Sequence, residues 1–99
     1  MIDLDFTFKA PLWKWKGGNW HFITVPKDIS DDIKAFTKHL RNGFGSLKVT
    51  VTVGQSKWAT SIFPSKSEDA FLLPVKAAIR KAEGLQVDAD IEVKLVVLV

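Results

Sequence analysis

Residues 71–99 constrain this chain more than any other stretch. Phe71-Leu72-Leu73 reads as a short apolar strand, Pro74 follows it, and helical spacing then runs to Glu83 before Gly84-Leu85. Proline suits a first helical turn, where its missing N–H would be unpaired anyway, so a helix is predicted to open at Pro74. Val75, Ala78, Ile79 and Ala82 form its apolar stripe, with Lys76, Arg80 and Glu83 beside it. Gly84 suits the left-handed residue that ends a helix, and Leu85 is its hydrophobic follower. An acidic turn and a second strand over residues 91–99 complete a strand–Pro–helix–turn–strand unit. The unit fixes an architecture and no activity.

An earlier segment follows the same plan. Phe22-Ile23-Thr24-Val25-Pro26 leads into a helix and then a strand, an echo at low direct identity. The helix is predicted to begin near Ser30, an N-cap with Asp31 and Asp32 in the first turn. Ile33, Phe36, Thr37 and Leu40 make one face, Lys38, His39 and Arg41 suit the C-terminal end, and Asn42-Gly43 stops it. Around these units lie alternating runs. Ile2, Leu4, Phe6 and Phe8 alternate with polar residues until Pro11 interrupts. Gly17-Gly18 between two aromatic runs signals a hairpin that pairs Trp15 with Trp20 and Trp13 with Phe22. Residues 47–53 form a strand, Gly54-Gln55 a turn, and residues 57–63 a strand ended by Pro64. Residues 65–69 form a polar loop, and residues 70–73 a strand.

The expected fold class is therefore mainly β, a small β-barrel with two short helices, in which two intertwined units close a single domain over residues 1–99. At 99 residues, 46% hydrophobic and 25% charged, the chain can build a core of its own. It has no cysteine, which excludes disulfides and thiolate metal sites. No apolar run reaches the roughly 20 residues of a membrane helix. The start of the chain is acidic and alternating, which does not read as a signal peptide, so the expected location is the cytoplasm. The net charge of +3 is spread without a basic block, a weak footprint for nucleic acid.

The second unit resembles one arm of AbrB-like swapped-hairpin transcription factors at Leu73-Pro74, Arg80, Gly84-Leu85 and Asp90, and departs at Ala89, where that pattern has Gly. A longer pattern runs through Trp20-x-Phe22 before Val25-Pro26, the run from Val49 to Val53, and Thr60-Ser61-Ile62-Phe63-Pro64. It continues through Leu73-Pro74-Val75-Lys76, Arg80-Lys81-Ala82 and Gly84-Leu85. On these residues the whole chain, over roughly residues 4–97, is more similar to the bacterial family of domain of unknown function 1905. The resemblance implies a double-split β-barrel and carries over no biochemical activity. Some relatives are fused to a second domain linked to bacteriocin resistance, for which this chain is expected to have no room.

The candidate sites are two. Lys76 and Arg80 stand at i, i+4 on the second helix, and Ser61 and Thr60 end a nearby strand, so these residues could form a small anion or phosphate pocket. The competing reading is a solvated face in which Arg80 pairs with Glu83, Asp88 or Asp90. Trp13 and Trp15, which alternate with lysines, are candidates for an aromatic contact surface, whereas Trp20 and Trp58 are assigned to the core. His21 and His39 share no metal-ligand spacing. A Ser61–His21–Asp arrangement can be drawn, but no nucleophile elbow or Gly-rich oxyanion loop supports it. No P-loop or dinucleotide fingerprint is present, so no cofactor, metal or catalytic residue is assigned. The expected function is a non-enzymatic binding or interaction module. The alternatives are an AbrB-like DNA-binding regulator and a small-anion or carbohydrate binder. The partner classes left open are another protein or a small anion, with nucleic acid less favoured, no membrane, and a monomer or weak homodimer.

Overall fold

Alternating apolar and polar side chains decide where the strands run. The computed structural model describes residues 4–38 and 45–98. Its elements are β1 (Asp5–Lys14), β2 (His21–Thr24), α1 (Lys27–Thr37), β3 (Leu47–Val53), β4 (Ser56–Ser65), β5 (Ala70–Pro74), α2 (Ala77–Glu83) and β6 (Asp90–Val97). The strands close into a barrel in the order β1-β2-β5-β4-β3-β6, every neighbouring pair antiparallel. Closure leaves no free sheet edge, which would otherwise offer unpaired N–H and C=O groups to another chain. The fold is mainly β with two helices, as expected.

Along β6 every second side chain, Ile91, Val93, Leu95 and Val97, is buried. With Ile23, Val49, Val51, Ile62, Phe71 and Leu73 they fill the interior, as side chains must in a barrel this narrow. Each such fully buried side chain contributes about 1.5–3 kcal/mol from removal of apolar surface from water. α1 packs against β5 and α2 against β4.

Two prolines lie inside strands that they were expected to end. β1 continues through Pro11, because the strand changes partner there. Residues up to Pro11 pair with β6, and Leu12, Trp13 and Lys14 pair with β2. β4 likewise passes from β3 to β5 after Ile62 and takes in Pro64. A proline costs a strand little where one side of its ladder is ending.

The helices also start elsewhere than the sequence suggests. α1 begins at Lys27 behind Pro26, so Ser30 is no N-cap. It is fully buried, donates its hydroxyl to the Val25 carbonyl at 3.0 Å and accepts the Phe71 N–H at 3.1 Å. Ile33 and Thr37 complete the buried face, while Phe36 is 48% exposed. Leu40, His39, Arg41 and Asn42-Gly43 lie outside the described residues. Pro74 is the last residue of β5, and α2 starts three positions later with Lys76 at its N-cap. Val75 and Ile79 are buried as predicted, but Ala78 and Ala82 face outward because this seven-residue helix touches the barrel with one narrow stripe. Its end is as expected. Gly84 takes φ 60°, and the Leu85 N–H returns to the Arg80 carbonyl at 2.9 Å.

The internal echo extends to the order and pairing of the strands. β1-β2-α1-β3 and β4-β5-α2-β6 exchange places without altering the order around the barrel. The Val25 N–H donates to the Phe71 carbonyl and the Val75 N–H to the His21 carbonyl, both at 2.9 Å. Val25 is thus the counterpart of Val75, and His21 of Phe71. The same offset turns the Trp13–Phe22 pair into Phe63–Leu72 and the start of α1 at Lys27 into the start of α2 at Ala77. It does not superpose Pro26 on Pro74; Pro26 corresponds to Lys76. The matching prolines suggested the repeat but misplace its register by two residues.

Candidate functional site

Corresponding places in the two halves carry different side chains. In one half, Lys27 on α1 forms an ion pair with Asp69 at 2.8 Å, between the counterparts of Ala77 and Asn19. Behind that pair, Phe71 and Ser30 are fully buried. In the other half the same four places hold Ala77, Asn19, His21 and Arg80. A methyl group offers Asn19 no charge, and an imidazole and a guanidinium stand where the first half has a phenyl ring and a hydroxyl. This half holds a cleft of about 460 Å³ between β2, β4 and the start of α2. Trp20, Trp58, Phe63, Thr60, Lys76 and Arg80 are among its lining residues.

Arg80 is held from two sides. Its Nε donates to the Val75 carbonyl at 3.3 Å, repeating with a longer arm the Ser30 bond to Val25. Its Nη1 meets His21 Nε2 at 3.3 Å, and His21 Nδ1 meets the Asn19 carbonyl at 2.9 Å. A carbonyl can only accept and a guanidinium can only donate, so the imidazole carries its proton on Nδ1 and accepts from Arg80 on Nε2. The expected ion pairs of Arg80 with Glu83, Asp88 or Asp90 are absent among the described residues. Glu83 instead accepts from the Ser56 hydroxyl at 2.6 Å and the Gln55 N–H at 3.4 Å, tying α2 to the turn between β3 and β4. Lys76 is exposed, and its ammonium has no hydrogen-bond or ion-pair partner among the described residues.

Of the pocket residues named from sequence, Lys76, Arg80 and Thr60 come together and Ser61 does not. Ser61 is one step along the pleat from Thr60, pairs with Lys48 and does not line the cleft. The aromatic assignment changes more. The hairpin register is as predicted, with Trp13 opposite Phe22 and the Trp15 N–H donating to the Trp20 carbonyl at 2.8 Å. The turn closes from the Gly18 N–H to the Trp15 carbonyl, and neither glycine takes a positive φ. A Cβ at 17 would stand 2.5 Å from the Trp15 ring, so any other residue there would push that exposed ring aside. The pair that points inward is Leu12 and Ile23, so Trp13, Phe22 and Trp20 share the outer face.

Trp13 is therefore half-buried, donating Nε1 to the Thr24 hydroxyl at 2.9 Å. Trp15 is 47% exposed but folds over its own turn and lies outside the cleft. Trp58 is buried as expected, whereas Trp20, expected in the core, is 59% exposed at the cleft's lip. Cross-strand pairing shows which side chains share a face, but not whether that face is inside. Among the described residues no three His, Asp or Glu side chains cluster as a metal site would need.

A family model described as Domain of unknown function (DUF1905) matches residues 8–95, from within β1 to within β6. The chain belongs to this family. The matched span contains the entire cleft and all but the outer ends of β1 and β6. A search of curated proteins finds no match to the chain. Among the described residues no helix is long and apolar enough to cross a membrane.

Proposed function

We propose that this domain is a non-enzymatic binding module whose cleft takes a small anionic ligand. One observation carries the reading: a cleft of about 460 Å³ places two cations together with no carboxylate among its described lining residues, where the other half has the Lys27–Asp69 ion pair at the places of Ala77 and Asn19. An Arg anchored by two of its five N–H donors keeps three for a ligand, and neighbouring Lys76, which has no partner among the described residues, adds a second charge. A DNA-binding regulator has less support. The barrel closes within one chain, so nothing in it calls for the dimer that symmetric operator binding uses.

The test is a thermal-shift titration with inorganic phosphate or sulfate against chloride at matched ionic strength. A ligand that binds only the folded state raises the midpoint with concentration. The reading predicts a phosphate-dependent rise that Lys76→Ala diminishes without changing the ligand-free midpoint. A midpoint indifferent to both anions, or a rise unaltered by Lys76→Ala, contradicts it.

A further inference from the structure

We infer that the ligand of this cleft is a phosphate monoester bearing a flat aromatic ring, the chemistry of a mononucleotide. The inference rests on the anion-binding reading above and adds the other half of the molecule. The charge argument comes first. Lys76 and Arg80 supply two positive charges, and among the described residues no Asp or Glu lines the cleft. A carboxylate would balance one of them. A phosphate monoester carries about −1.5 to −2 charges at neutral pH and three acceptor oxygens, matching two cations and the unspent donors of Arg80. The Thr60 hydroxyl, also lining the cleft, is a further donor.

The aromatic argument is independent. Trp20 is 59% exposed, yet its ring is held in place. It stacks on Phe22 with centroids 5.9 Å apart and planes 7° from parallel. Phe22 leans on Trp13 at 5.2 Å, and Trp13 is fixed through Nε1 to Thr24. An indole with one face on a phenyl ring and its body in the open is a stacking surface ordered before any ligand arrives, so binding costs little further ordering. Phe63, 45% exposed, is a second ring on the same cleft. A single tetrahedral anion would fill only a small part of about 460 Å³, a volume in the range of small-molecule sites. A ring against Trp20 and a phosphate at Arg80 and Lys76 would use both features.

The experiment is isothermal titration of the full chain with four probes: adenosine monophosphate, ribose 5-phosphate, adenosine and inorganic phosphate. Adenosine monophosphate should bind about tenfold or more tightly than ribose 5-phosphate, the usual scale of base stacking on an aromatic side chain. Trp20→Ala should erase that advantage and leave ribose 5-phosphate binding unchanged, and Trp20→Phe should restore most of it. Lys76→Ala should weaken both phosphates together. Equal binding of ribose 5-phosphate and adenosine monophosphate overturns the ring half and leaves the anion reading standing. Equal binding of adenosine and adenosine monophosphate overturns the anion reading itself. If no probe binds, both fall. If Trp20→Ala weakens every probe alike, Trp20 is only structural and the ring half is overturned.

Discussion

Replacing Ser30 by Ala removes one buried oxygen from the half that carries the Lys27–Asp69 pair. Ser30 is fully buried, and its hydroxyl bridges the Val25 carbonyl and the Phe71 N–H at 3.0 and 3.1 Å. Val25 and Phe71 stand opposite each other at the end of the β2–β5 ladder, and the hydroxyl is inserted between the Val25 carbonyl and the Phe71 N–H that would otherwise pair directly. Each bond contributes about 0.5–1.5 kcal/mol net, and a buried donor left without a partner costs about 1–3 kcal/mol. Phe71 is itself fully buried, so water has no ready route to its amide. The expected loss is about 2–4 kcal/mol, which for a domain of this size lowers the melting midpoint by about 10–30 °C. Guanidinium denaturation of both proteins at 25 °C measures the loss, and hydrogen exchange at the Phe71 amide locates it. A loss below about 0.5 kcal/mol with the Phe71 amide still protected would refute the reasoning, since the bridge would then be replaceable.

Three further outcomes follow from other parts of the fold. Gly84→Ala should cost about 1 kcal/mol in chemical denaturation, because φ 60° disfavours a Cβ although nothing stands within 4 Å of one. The Asp69 carboxyl is held below its ordinary pKa by the hydrogen bond from Lys27 and then by its charge, and the Lys27 pKa is raised by the same bond. The pair's small stabilisation is therefore present above the usual carboxylate range and lost as pH falls through the lowered value, and it fades again at alkaline pH as Lys27 loses its proton. Urea midpoints of Asp69→Asn and the parent protein should differ slightly at pH 7 and converge in acid. Finally, the double variant Asn19→Asp with Ala77→Lys copies the Asp69–Lys27 pair into the half that holds the cleft. It should abolish phosphate binding in calorimetry while Lys76 and Arg80 remain in place.

The parts of the fold legible in the sequence are those set by near neighbours. β3 runs over the predicted residues because alternation along Leu47–Val53 is uninterrupted, and Gly84-Leu85 ends α2 because that cap is built within one helical turn. The misreadings share a cause: each depended on something distant in the chain. Ser30 looks like a cap until Phe71, 41 residues away, takes its oxygen. Trp20 looks like core because its partners are aromatic, but the inward side of that hairpin is decided by Leu12 and Ile23 meeting the rest of the barrel. Lys76 and Arg80 were visible as a spaced pair. His21, which meets Arg80 across 59 residues, carried no local signal, and neither did the cleft, whose lining comes from β2, β4 and α2 together.

The central claim is that the two halves share a frame and only one is a binding site. Titrating inorganic phosphate and adenosine monophosphate into isotope-labelled protein, followed by amide and indole NMR signals, tests it directly. The account predicts concentration-dependent shifts at Asn19, Trp20, His21, Thr60, Lys76 and Arg80, with the counterparts Asp69, Phe71, Lys27 and Ser30 unmoved. Shifts of equal size in both halves, or shifts confined to scattered surface lysines, would contradict it.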